Sequence, residues 1–582
     1  MTQSFKTSPL SVAITVSELA FFAVLTGLVT AFAAIAFVES ILFIHNHLLA
    51  PTIDHQLSFR NWHLMVIAIA IPTIGGLVVG VLSRSIRNNQ PHAILESIKA
   101  SHSIKPFLPL SDGLKSAVAT IISMGCGASV GHYGPITHLG TTLGSALSQL
   151  VKQTKFNGTI AIGCGASAAI ATAFNAPIAA IVFAHEVILR HYSLRSFAPI
   201  SIAASTGYFI SHVVFQRAAL VKVDHISAIV AHEFLFFIVI GIIGAFVASA
   251  LVNSVIRLGQ FSHNLNIDSR LKPAIAGFAL GVAALWLPEV YAMSDMLGKL
   301  TVEELAFTWS QLGIILIAKF VLTAACLAFG FAGGIFSPSL LIGALTGTLI
   351  GLLLFWLTDW PHGDLAVYAI CGMMAVTSPI IGAPLTSILI VLELTGNYDL
   401  ATASMISVVF ANLIAYRLFG RSLFDLQLLK QNFDLSLGRD KVILNQNTIK
   451  PFIDTTITRY LKTSTLSDIF DGLVTANRTE AYIVDSSGQY IGTIRLLDLL
   501  PYQDDTTRVA ADLAKAEPLI LTEQTTIWSA MENMTDFVGE SIPVTALDGH
   551  SQLFLGVVYE KDIIQAYLTT VGTIRSEEHA AG

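Results

Sequence analysis

Hydrophobic residues dominate this chain in stretches of two different lengths. The longer apolar segments cover residues 12–43, 64–82, 234–252, 274–287, 312–328, 340–357 and 404–418. Several of them reach the roughly 20 residues that a helix needs to cross a hydrocarbon core. Shorter apolar runs at residues 160–173 and 178–183 contain Gly, Ala and Pro and are too short to span. The pattern predicts a polytopic α-helical membrane protein in which some helices end inside the bundle.

A glycine-rich motif followed by proline occurs twice among these segments. Residues 131–135 read GHYGP, and residues 334–338 read GIFSP. A second pair of motifs follows the two copies at nearly the same distance, Ala176-Pro177 after the first and Ala383-Pro384 after the second. Duplicated halves with apolar segments broken by Gly and Pro are typical of transporters and channels with a substrate site near the bilayer midplane.

Composition supports a membrane location and changes near residue 440. Hydrophobic residues make up 53% of the chain and charged residues only 12%, whereas soluble domains carry about 25% charge. From residue 450 onward, however, the chain has 19 Asp and Glu against 9 Lys and Arg. We therefore expect an acidic, soluble C-terminal part after the membrane segments. Lys and Arg near the ends of apolar segments set orientation, and we expect this acidic part in the cytoplasm.

The acidic part shows the same hairpin-and-helix pattern twice. Residues 481–484 and 490–494 flank a Ser-Ser-Gly turn, and residues 542–546 and 553–559 flank an Asp-Gly-His turn. Each hairpin leads into a helix and contains a glycine followed six residues later by aspartate, at Asp498 and at Asp562.

This doubled pattern resembles a tandem pair of CBS domains. The resemblance implies an α+β module with a cleft in which Asp498 and Asp562 bind the ribose of an adenine nucleotide, since a carboxylate at a helix start can accept hydrogen bonds from two hydroxyls. The alternative is that the two aspartates only cap their helices.

The membrane part resembles the CLC family of chloride channels and chloride/proton exchangers. The similarity rests on the two proline motifs, on residues 174–177 with Glu186, on residues 319–338, and on the run from residue 382 through Glu393 to residue 398. It implies two inverted halves with broken and tilted helices, and a homodimer with one pore in each subunit. We predict an anion pathway in residues 1–440, with halves at about 12–215 and 229–425. A linker at 441–447, CBS domains at 448–502 and 507–570, and a tail at 571–582 follow.

The two proline motifs are candidates for an anion site. Helix N-termini present unpaired N–H groups and about half a positive charge, so two of them that converge attract an anion without a full cation. By resemblance, the amides of Ile335 and Phe336 line a central site, and the amides of His132, Tyr133, Gly134 and Ser337 line an outer one. The alternative is that the glycines only permit close helix packing.

Two positions depart from the pattern of proton-coupled relatives. Tyr133 stands where most relatives carry a glutamate that swaps with chloride, and a phenol with a pKa near 10 is neutral at pH 7. Val187 stands where the exchangers carry an inner proton-relay glutamate, and it can carry no proton. These two residues favour passive anion movement by a chloride channel or uniporter.

Two further departures leave the permeant anion open. The family's serine-containing loop aligns near Asn88 to His92, where Asn89 and Gln90 offer amides in place of a hydroxyl. Phe424 stands in place of a pore tyrosine. A transporter of another anion such as bicarbonate or nitrate, with coupling to another ion left open, is therefore an alternative. A second alternative is a nucleotide sensor with a pore closed by Tyr133.

Several residues near these motifs have both a structural and a functional interpretation. His92, His132, His138 and His185 could report pH, although His185 is better read as a packed side chain. Glu186 and Glu393, which match across the repeats, are better read as ties between helix ends than as ion ligands.

An enzyme is not indicated, since no phosphate loop, zinc-ligand spacing or nucleophile elbow is present. We expect four buried cysteines with packing roles, no metal and no cofactor for transport. Nucleic-acid binding is not expected either, because the soluble part is acidic. The predicted partners are a small anion, the lipid bilayer and a second copy of the chain, and the predicted location is the plasma membrane or inner membrane.

Overall fold

The structure is a computed structural model. It describes residues 9–49, 62–87, 91–103, 106–151, 158–217, 232–291, 300, 307–358, 364–502, 507–517, 519–535, 537, 539–548 and 551–579. The chain divides after Phe433 into two compact units. The first unit is helical, and the second unit combines two small β-sheets with helices.

The helices of the first unit fall into two groups that follow the two halves of the sequence. In the first half they are α1 (Pro9–Leu48), α2 (Trp62–Ser83), α3 (Ile94–Ser101), α4 (Leu110–Gly125), α5 (Tyr133–Leu150), α6 (Gly158–Phe174), α7 (Pro177–Leu189) and α8 (Leu194–Tyr208, continued by Phe209–Val214). In the second half they are α9 (Glu233–Asn264), α10 (Lys272–Ala284), α11 (Trp309–Ala328), α12 (Phe336–Leu357), α13 (Leu365–Ile381), α14 (Pro384–Thr395), α15 (Tyr398–Phe419) and α16 (Leu423–Leu429).

Within the described residues, seven helical stretches are long and apolar enough to cross a membrane. They are Val16–Leu48, Trp62–Ser83, Arg195–Val214, Glu233–Asn264, Trp309–Ala328, Phe336–Leu357 and Tyr398–Leu429. The stretch Arg195–Val214 is absent from the apolar segments predicted above, because serine and threonine are interspersed along it. The predicted apolar segment at 274–287 corresponds to the short helix α10, which has 13 residues.

Shorter apolar helices fill the interior, as the sequence predicts. Helix α6 is buried along nearly its whole length, and α7 begins with Pro177 at its first position and widens into a π-helical turn from Ala184 to Leu189. Proline at a helix start costs no hydrogen bond, because the first N–H groups have no partner within the helix.

The same close packing of helices recurs in both halves. A Cβ atom on Gly140 of α5 would lie 2.4 Å from the carbonyl oxygen of Gly165 on α6. In the second half, a Cβ on Gly343 of α12 would lie 2.5 Å from the carbonyl oxygen of Gly372 on α13. Glycine is thus required at matching places, since any side chain would push the backbones apart.

Within its described residues, the second unit contains two three-stranded sheets with the same topology. The strands are β1 (Arg459–Leu461), β2 (Glu480–Val484), β3 (Tyr490–Arg495), β4 (Leu521–Thr522), β5 (Ser541–Asp548) and β6 (Ser551–Tyr559). In each sheet the first strand is parallel to the second, the second is antiparallel to the third, and the register shifts at one irregularity. The predicted hairpins are confirmed, although Gly549 and His550 of the second turn lie outside the described residues.

The helices of the second unit are α17 (Arg439–Gln446), α18 (Leu466–Ala476), α19 (Leu496–Leu499), α20 (Ile527–Asn533) and α21 (Glu560–His579). Residues 441–446 of the predicted linker are therefore part of a helix. Leu444 of that helix is fully buried in the same apolar cluster as Leu521 and Ile563.

Candidate anion site

The two glycine-rich motifs meet through their backbones. The amide of Gly131 donates to the carbonyl of Gly334 at 2.6 Å, and the amide of Gly334 donates to the carbonyl of Gly131 at 2.7 Å. Helix α5 begins two residues later with Tyr133, and α12 begins with Phe336. The N-termini of two long helices are therefore held together at one point inside the first unit.

The contact between the motifs requires glycine at its centre. A Cβ on Gly131 would lie 2.8 Å from the amide nitrogen and 2.9 Å from the hydroxyl oxygen of Ser337. Ser337 itself is 4% exposed, and its hydroxyl has no hydrogen-bond partner within the described part of the chain. The short distances from Gly131 to Ser337 place the start of α12 directly against the first motif.

Three aromatic rings fill the space at this junction. The Tyr133 ring is 2% exposed and stacks on Phe174, with the ring centroids 3.9 Å apart. It also makes an edge-to-face contact with Phe336, with the ring centroids 5.3 Å apart, and the centroids of Phe174 and Phe336 are 5.5 Å apart. Phe174 was not among the predicted site residues. The signal available in the sequence was the Asn-Ala-Pro that follows Phe174, because Asn adopts a left-handed backbone readily and Pro starts the next helix. Asn175 indeed has a φ of 55°.

The other predicted residues fall into three groups. His132 and Ile335 are the N-cap residues of α5 and α12, Gly134 lies in the first turn of α5, and the His132 ring lies 4.1 Å from the Tyr133 ring. Phe424 is buried near the start of α16 but is not part of the three-ring cluster. Asn89 and Gln90 lie outside the described residues.

Glu186 and Glu393 bind helix starts in the opposite halves. The Glu186 carboxylate accepts hydrogen bonds from the amides of Leu385 and Thr386 at 3.1 and 2.9 Å and from the Thr386 hydroxyl at 2.7 Å. The Glu393 carboxylate accepts from the amides of Ile178 and Ala179 at 2.9 and 2.7 Å. The expectation that these two residues tie helix ends together is confirmed.

Val187, next to Glu186, is 1% exposed and thus places an apolar side chain in the interior. His185 is equally buried, and its ring contacts the Ile181 carbonyl at 3.0 Å and the Ser196 hydroxyl at 3.3 Å. This is the packed, hydrogen-bonded histidine that the sequence favoured.

His92 and His138 lie beside each other. Their rings are 5.8 Å apart, and the Ser97 hydroxyl is 2.9 Å from Nδ1 of His138. His138 is five residues after Tyr133 on α5. The structure thus separates this pair of histidines from His132, which lies at the start of the same helix.

In the second unit, the two predicted nucleotide-binding aspartates occupy corresponding positions. Asp498 lies in α19, directly after β3, and its carboxylate is 3.2 Å from Nζ of Lys515. Asp562 lies in the first turn of α21, directly after β6. Each carboxylate is therefore placed near the start of a helix that follows a hairpin.

A charged cluster joins the two sheets. The Glu480 carboxylate accepts from the hydroxyls of Tyr482 and Ser541 at 2.9 and 2.8 Å, and Arg495 lies 3.9 Å from Glu480 and 3.7 Å from Glu517. The side chains of Glu480 and Glu517 are only 9% and 11% exposed. Burial raises the pKa of Glu517, while Arg495 opposes the shift and Glu480 adds to it.

These features define a class of protein. Two inverted halves, broken helices that end inside the bundle and paired helix N-termini are the architecture of membrane proteins that move small solutes or ions past a central site. The soluble unit adds a doubled α+β fold to this membrane part.

Sequence comparison gives the family. A profile described as voltage gated chloride channel matches residues 75–416, and a CBS domain profile matches residues 509–569. The chain belongs to the voltage-gated chloride channel family, CLC, and is a multi-pass membrane protein with a C-terminal CBS module.

Relatives in this family include exchangers. The H(+)/Cl(-) exchange transporter ClcA of Salmonella agona is 27% identical over 427 residues, which cover 69% of this chain and 86% of that protein. Two solved structures share the fold. The first, a slow cyanobacterial Cl-/H+ antiporter, has a TM-score of 0.64 at 21% sequence identity. The aligned region covers 71% of this chain and 97% of the antiporter chain. The second, a eukaryotic CLC transporter, has a TM-score of 0.62 at 17% sequence identity. The aligned region covers 94% of this chain and 98% of the transporter chain.

Proposed function

We propose that this protein is a passive chloride channel or uniporter that does not couple anion movement to protons. The observation that carries the proposal is Tyr133 at the start of α5, where the two helix N-termini meet. A phenol is neutral across the physiological pH range, so it neither competes with an anion as a charged group nor shuttles a proton. Val187, buried and apolar, removes the second proton-carrying position.

The geometry at the junction supports anion binding. Unpaired N–H groups at the starts of α5 and α12 carry partial positive charge, and the hydrogen bonds between Gly131 and Gly334 hold these two starts at one place. Partial charges fixed in the backbone bind an anion strongly enough to strip part of its water and weakly enough to release it. His132, Tyr133, Gly134, Ile335, Phe336 and Ser337 supply the amides.

Reconstituted liposomes test this function. In vesicles loaded with chloride, we expect efflux when valinomycin and potassium set the voltage, without proton movement recorded by a pH electrode. Uphill proton movement driven by a chloride gradient would contradict the proposal and favour an exchanger. Replacing chloride by nitrate, fluoride or bicarbonate in the same assay identifies the permeant anion, and a preference for nitrate or bicarbonate would support the alternative transporter.

The aromatic cluster favours one further candidate, a nucleotide sensor with a closed pore. Tyr133, Phe174 and Phe336 lie in ring contact at the junction, where they could obstruct the path. If wild-type liposomes show no flux and Tyr133→Ala restores it, the rings close the pore. If both proteins are silent, the conducting function is wrong.

We further propose that the CBS module is cytoplasmic and binds an adenine nucleotide through Asp498 and Asp562. Both carboxylates lie near a helix start after a hairpin, where ribose hydroxyls could reach them. Binding of radiolabelled ATP or AMP to the purified full chain, with Asp498→Asn and Asp562→Asn compared, tests the site. Unchanged binding in both variants would leave the aspartates with a capping role only.

We also propose a homodimer with one pore in each subunit. Large apolar side chains on α7, α8, α14 and α15 are exposed in the single chain, among them Ile178, Phe197, Leu385 and Leu413. Light scattering of the detergent-solubilised protein, corrected for bound detergent, should give twice the mass of one chain.

A further inference from the structure

One hydroxyl group at the junction of the two motifs is buried without a hydrogen-bond partner. Ser337 is 4% exposed, and no group in the described ranges bonds to its Oγ. A Cβ atom placed on Gly131 would lie 2.9 Å from this oxygen and 2.8 Å from the Ser337 amide nitrogen. The hydroxyl and the amide of Ser337 therefore lie beside the same point of the first motif.

Neighbouring hydroxyl groups show how a buried side chain of this kind is normally satisfied. Thr137 in α5 and Ser339 in α12 each donate to a carbonyl three or four residues earlier in their own helix, at 2.7 Å. Such bonds are common for serine and threonine in helices. The carbonyl three residues before Ser337 belongs to Gly334, and it accepts the amide of Gly131 at 2.6 Å. The contact between the motifs thus engages the carbonyl that Ser337 would ordinarily use.

A buried hydroxyl without a partner is unfavourable, and it indicates a ligand when other donors converge on the same place. Ser337 is the second residue of α12, where the backbone N–H has no partner within the helix. One residue therefore offers two hydrogen-bond donors at the positive end of a helix. An anion is the ligand that accepts both bonds and is stabilised by that charge.

We propose that the Ser337 hydroxyl donates a hydrogen bond to the bound anion and is the side-chain ligand of the site. This inference rests on the proposed anion site, which otherwise consists of backbone amides. It gives the chain a hydroxyl donor although Phe424 and the loop near Asn89 lack one. A hydroxyl hydrogen can rotate toward an acceptor, and a hydrogen bond to a charged acceptor is stronger than one to a neutral acceptor.

Ser337→Ala isolates the hydroxyl, because it keeps the backbone amide and favours the helix. Loss of one donor to a charged ligand should weaken chloride binding about tenfold. Ser339→Ala is the matched control, since Ser339 lies two residues further along α12 and is equally buried, but its hydroxyl bonds to the Phe336 carbonyl. Its removal should leave chloride binding unchanged.

The first experiment measures binding without transport. The full chain in detergent is unfolded by heat while chloride replaces gluconate at constant ionic strength. A ligand that binds the folded protein raises the unfolding temperature as its concentration increases. We expect Ser337→Ala to need about tenfold more chloride than the wild type for the same rise. Size-exclusion chromatography of each protein before heating confirms that the folded forms are compared.

The second experiment measures chloride efflux from liposomes at limiting and at high chloride. We expect Ser337→Ala to lower the initial flux about tenfold when chloride is limiting, with a smaller difference when chloride is in excess. Ser339→Ala should follow the wild type at both concentrations. A general loss of folded protein would instead lower the flux by the same factor at both.

The two experiments separate this inference from the conducting function. If chloride stabilises the wild type and Ser337→Ala at the same concentrations, or does not stabilise the wild type at all, the hydroxyl is not a ligand and the inference is wrong. Chloride flux through the wild type would still support conduction in that case. If the wild type carries no chloride but Ser337→Ala shows the tenfold shift in binding, the conducting function is wrong and the hydroxyl remains a ligand.

Discussion

At the scale of single residues, Tyr133 is a tightly packed ring at the start of a helix. Its ring stacks on Phe174 and is almost entirely buried, so the side chain has one well-packed position. Under the proposed function, its neutral hydroxyl stands where a carboxylate would carry a full charge at pH 7. The fold places this side chain at the beginning of α5, where any charge would act directly on a bound anion.

Replacing Tyr133 by glutamate should introduce a pH dependence that the wild-type protein lacks. An ionised carboxylate at the helix start competes with the anion, and the ratio of its neutral to its ionised form falls about tenfold per pH unit near its pKa. We expect chloride flux through Tyr133→Glu to fall as pH rises from 4 to 8, measured by chloride efflux from liposomes. Flux through the wild type should change little over the same range.

Tyr133→Phe is the matched control, because it keeps the ring and removes only the hydroxyl. It should remain as insensitive to pH as the wild type. Proton uptake by Tyr133→Glu should stay near zero, since Val187 still lacks a protonatable group. A pH-independent Tyr133→Glu would mean that residue 133 does not face the anion.

Gly131 lets the two motifs approach, and adding one methyl group should disrupt them. In Gly131→Ala the new Cβ would lie 2.8 Å from the amide nitrogen of Ser337, which is backbone and cannot move alone. We expect a loss of about 1–3 kcal/mol in stability and a strong loss of flux, measured by thermal unfolding in detergent and by chloride efflux.

Gly313→Ala is the control for this substitution. Gly313 lies in α11 and has no atom within 4 Å of a built Cβ, so alanine should be tolerated or slightly stabilising. Equal behaviour of the two variants would show that the close contact between the motifs is unimportant.

At the scale of elements, the two halves are joined by reciprocal caps. Helix α7 carries Glu186, which binds the start of α14, and α14 carries Glu393, which binds the start of α7. Each carboxylate satisfies N–H groups that have no partner within their own helix and places negative charge at a positive helix end. A symmetric pair of helices is thereby fixed across the inverted repeat.

Neutralising either glutamate should therefore have a similar effect. We expect Glu186→Gln and Glu393→Gln each to cost about 1 kcal/mol, because hydrogen bonds to a charged group are stronger than hydrogen bonds to a neutral one. Glu186→Gln should cost more, since Glu186 also accepts from the Thr386 hydroxyl. Unfolding in detergent measures both, and the exposed Glu532→Gln in the second unit is the control. Destabilisation by only one of the two would argue against reciprocal capping.

The apolar pattern predicted the short helices and the doubled hairpins, because burial and turn chemistry are recorded locally in the sequence. It did not predict the span at Arg195–Val214. The hydroxyl groups there dilute the apolar signal, yet several of them bond to backbone carbonyls, as Ser211 bonds to Thr172 at 2.9 Å. Ser196, Ser201 and Thr206 bond to carbonyls three or four residues earlier, whereas the Ser211 partner is 39 residues away. A hydropathy average registers neither kind of bond.

At the scale of the whole molecule, a membrane unit with an inverted repeat is followed by a soluble unit with a direct repeat. The soluble unit is stabilised across its two sheets by the cluster of Glu480, Tyr482, Arg495, Glu517 and Ser541. Two nearly buried carboxylates share one guanidinium in this cluster. The balance of charge within it therefore depends on pH.

The raised pKa of Glu517 determines whether the stability of the second unit rises or falls with pH. Because the folded unit holds this proton more tightly than the unfolded chain does, the unit gains stability as pH falls through the folded pKa and loses it as pH rises. As pH rises, the loss of stability begins near the ordinary glutamate pKa of about 4.3. It is complete above the higher pKa that Glu517 has in the folded unit. Hydrogen exchange of amides in β3 and β5 in the full chain, corrected for intrinsic rates, should show slower exchange at the lower pH.

Glu517→Gln should flatten this pH dependence, because the amide has no proton to lose. Asp454 acts in the opposite sense, since its hydrogen bonds with Thr456 lower its pKa and its contribution is lost in acid. A pH dependence that persists in Glu517→Gln would assign the effect to another group in the cluster.

The sequence alone determined that this is a multi-pass membrane protein with two repeats, a soluble doubled module and no carboxylate at positions 133 and 187. Hydrophobic segments, glycine motifs and the identity of single residues are properties that can be read along the chain. The tertiary structure alone decided that Gly131 bonds to Gly334, that Phe174 covers Tyr133, that Glu186 and Glu393 cap each other's helices, and that Arg217 pairs with Glu39. Each of these contacts joins residues that are far apart in sequence, and their pairing follows from how the helices pack rather than from any local pattern.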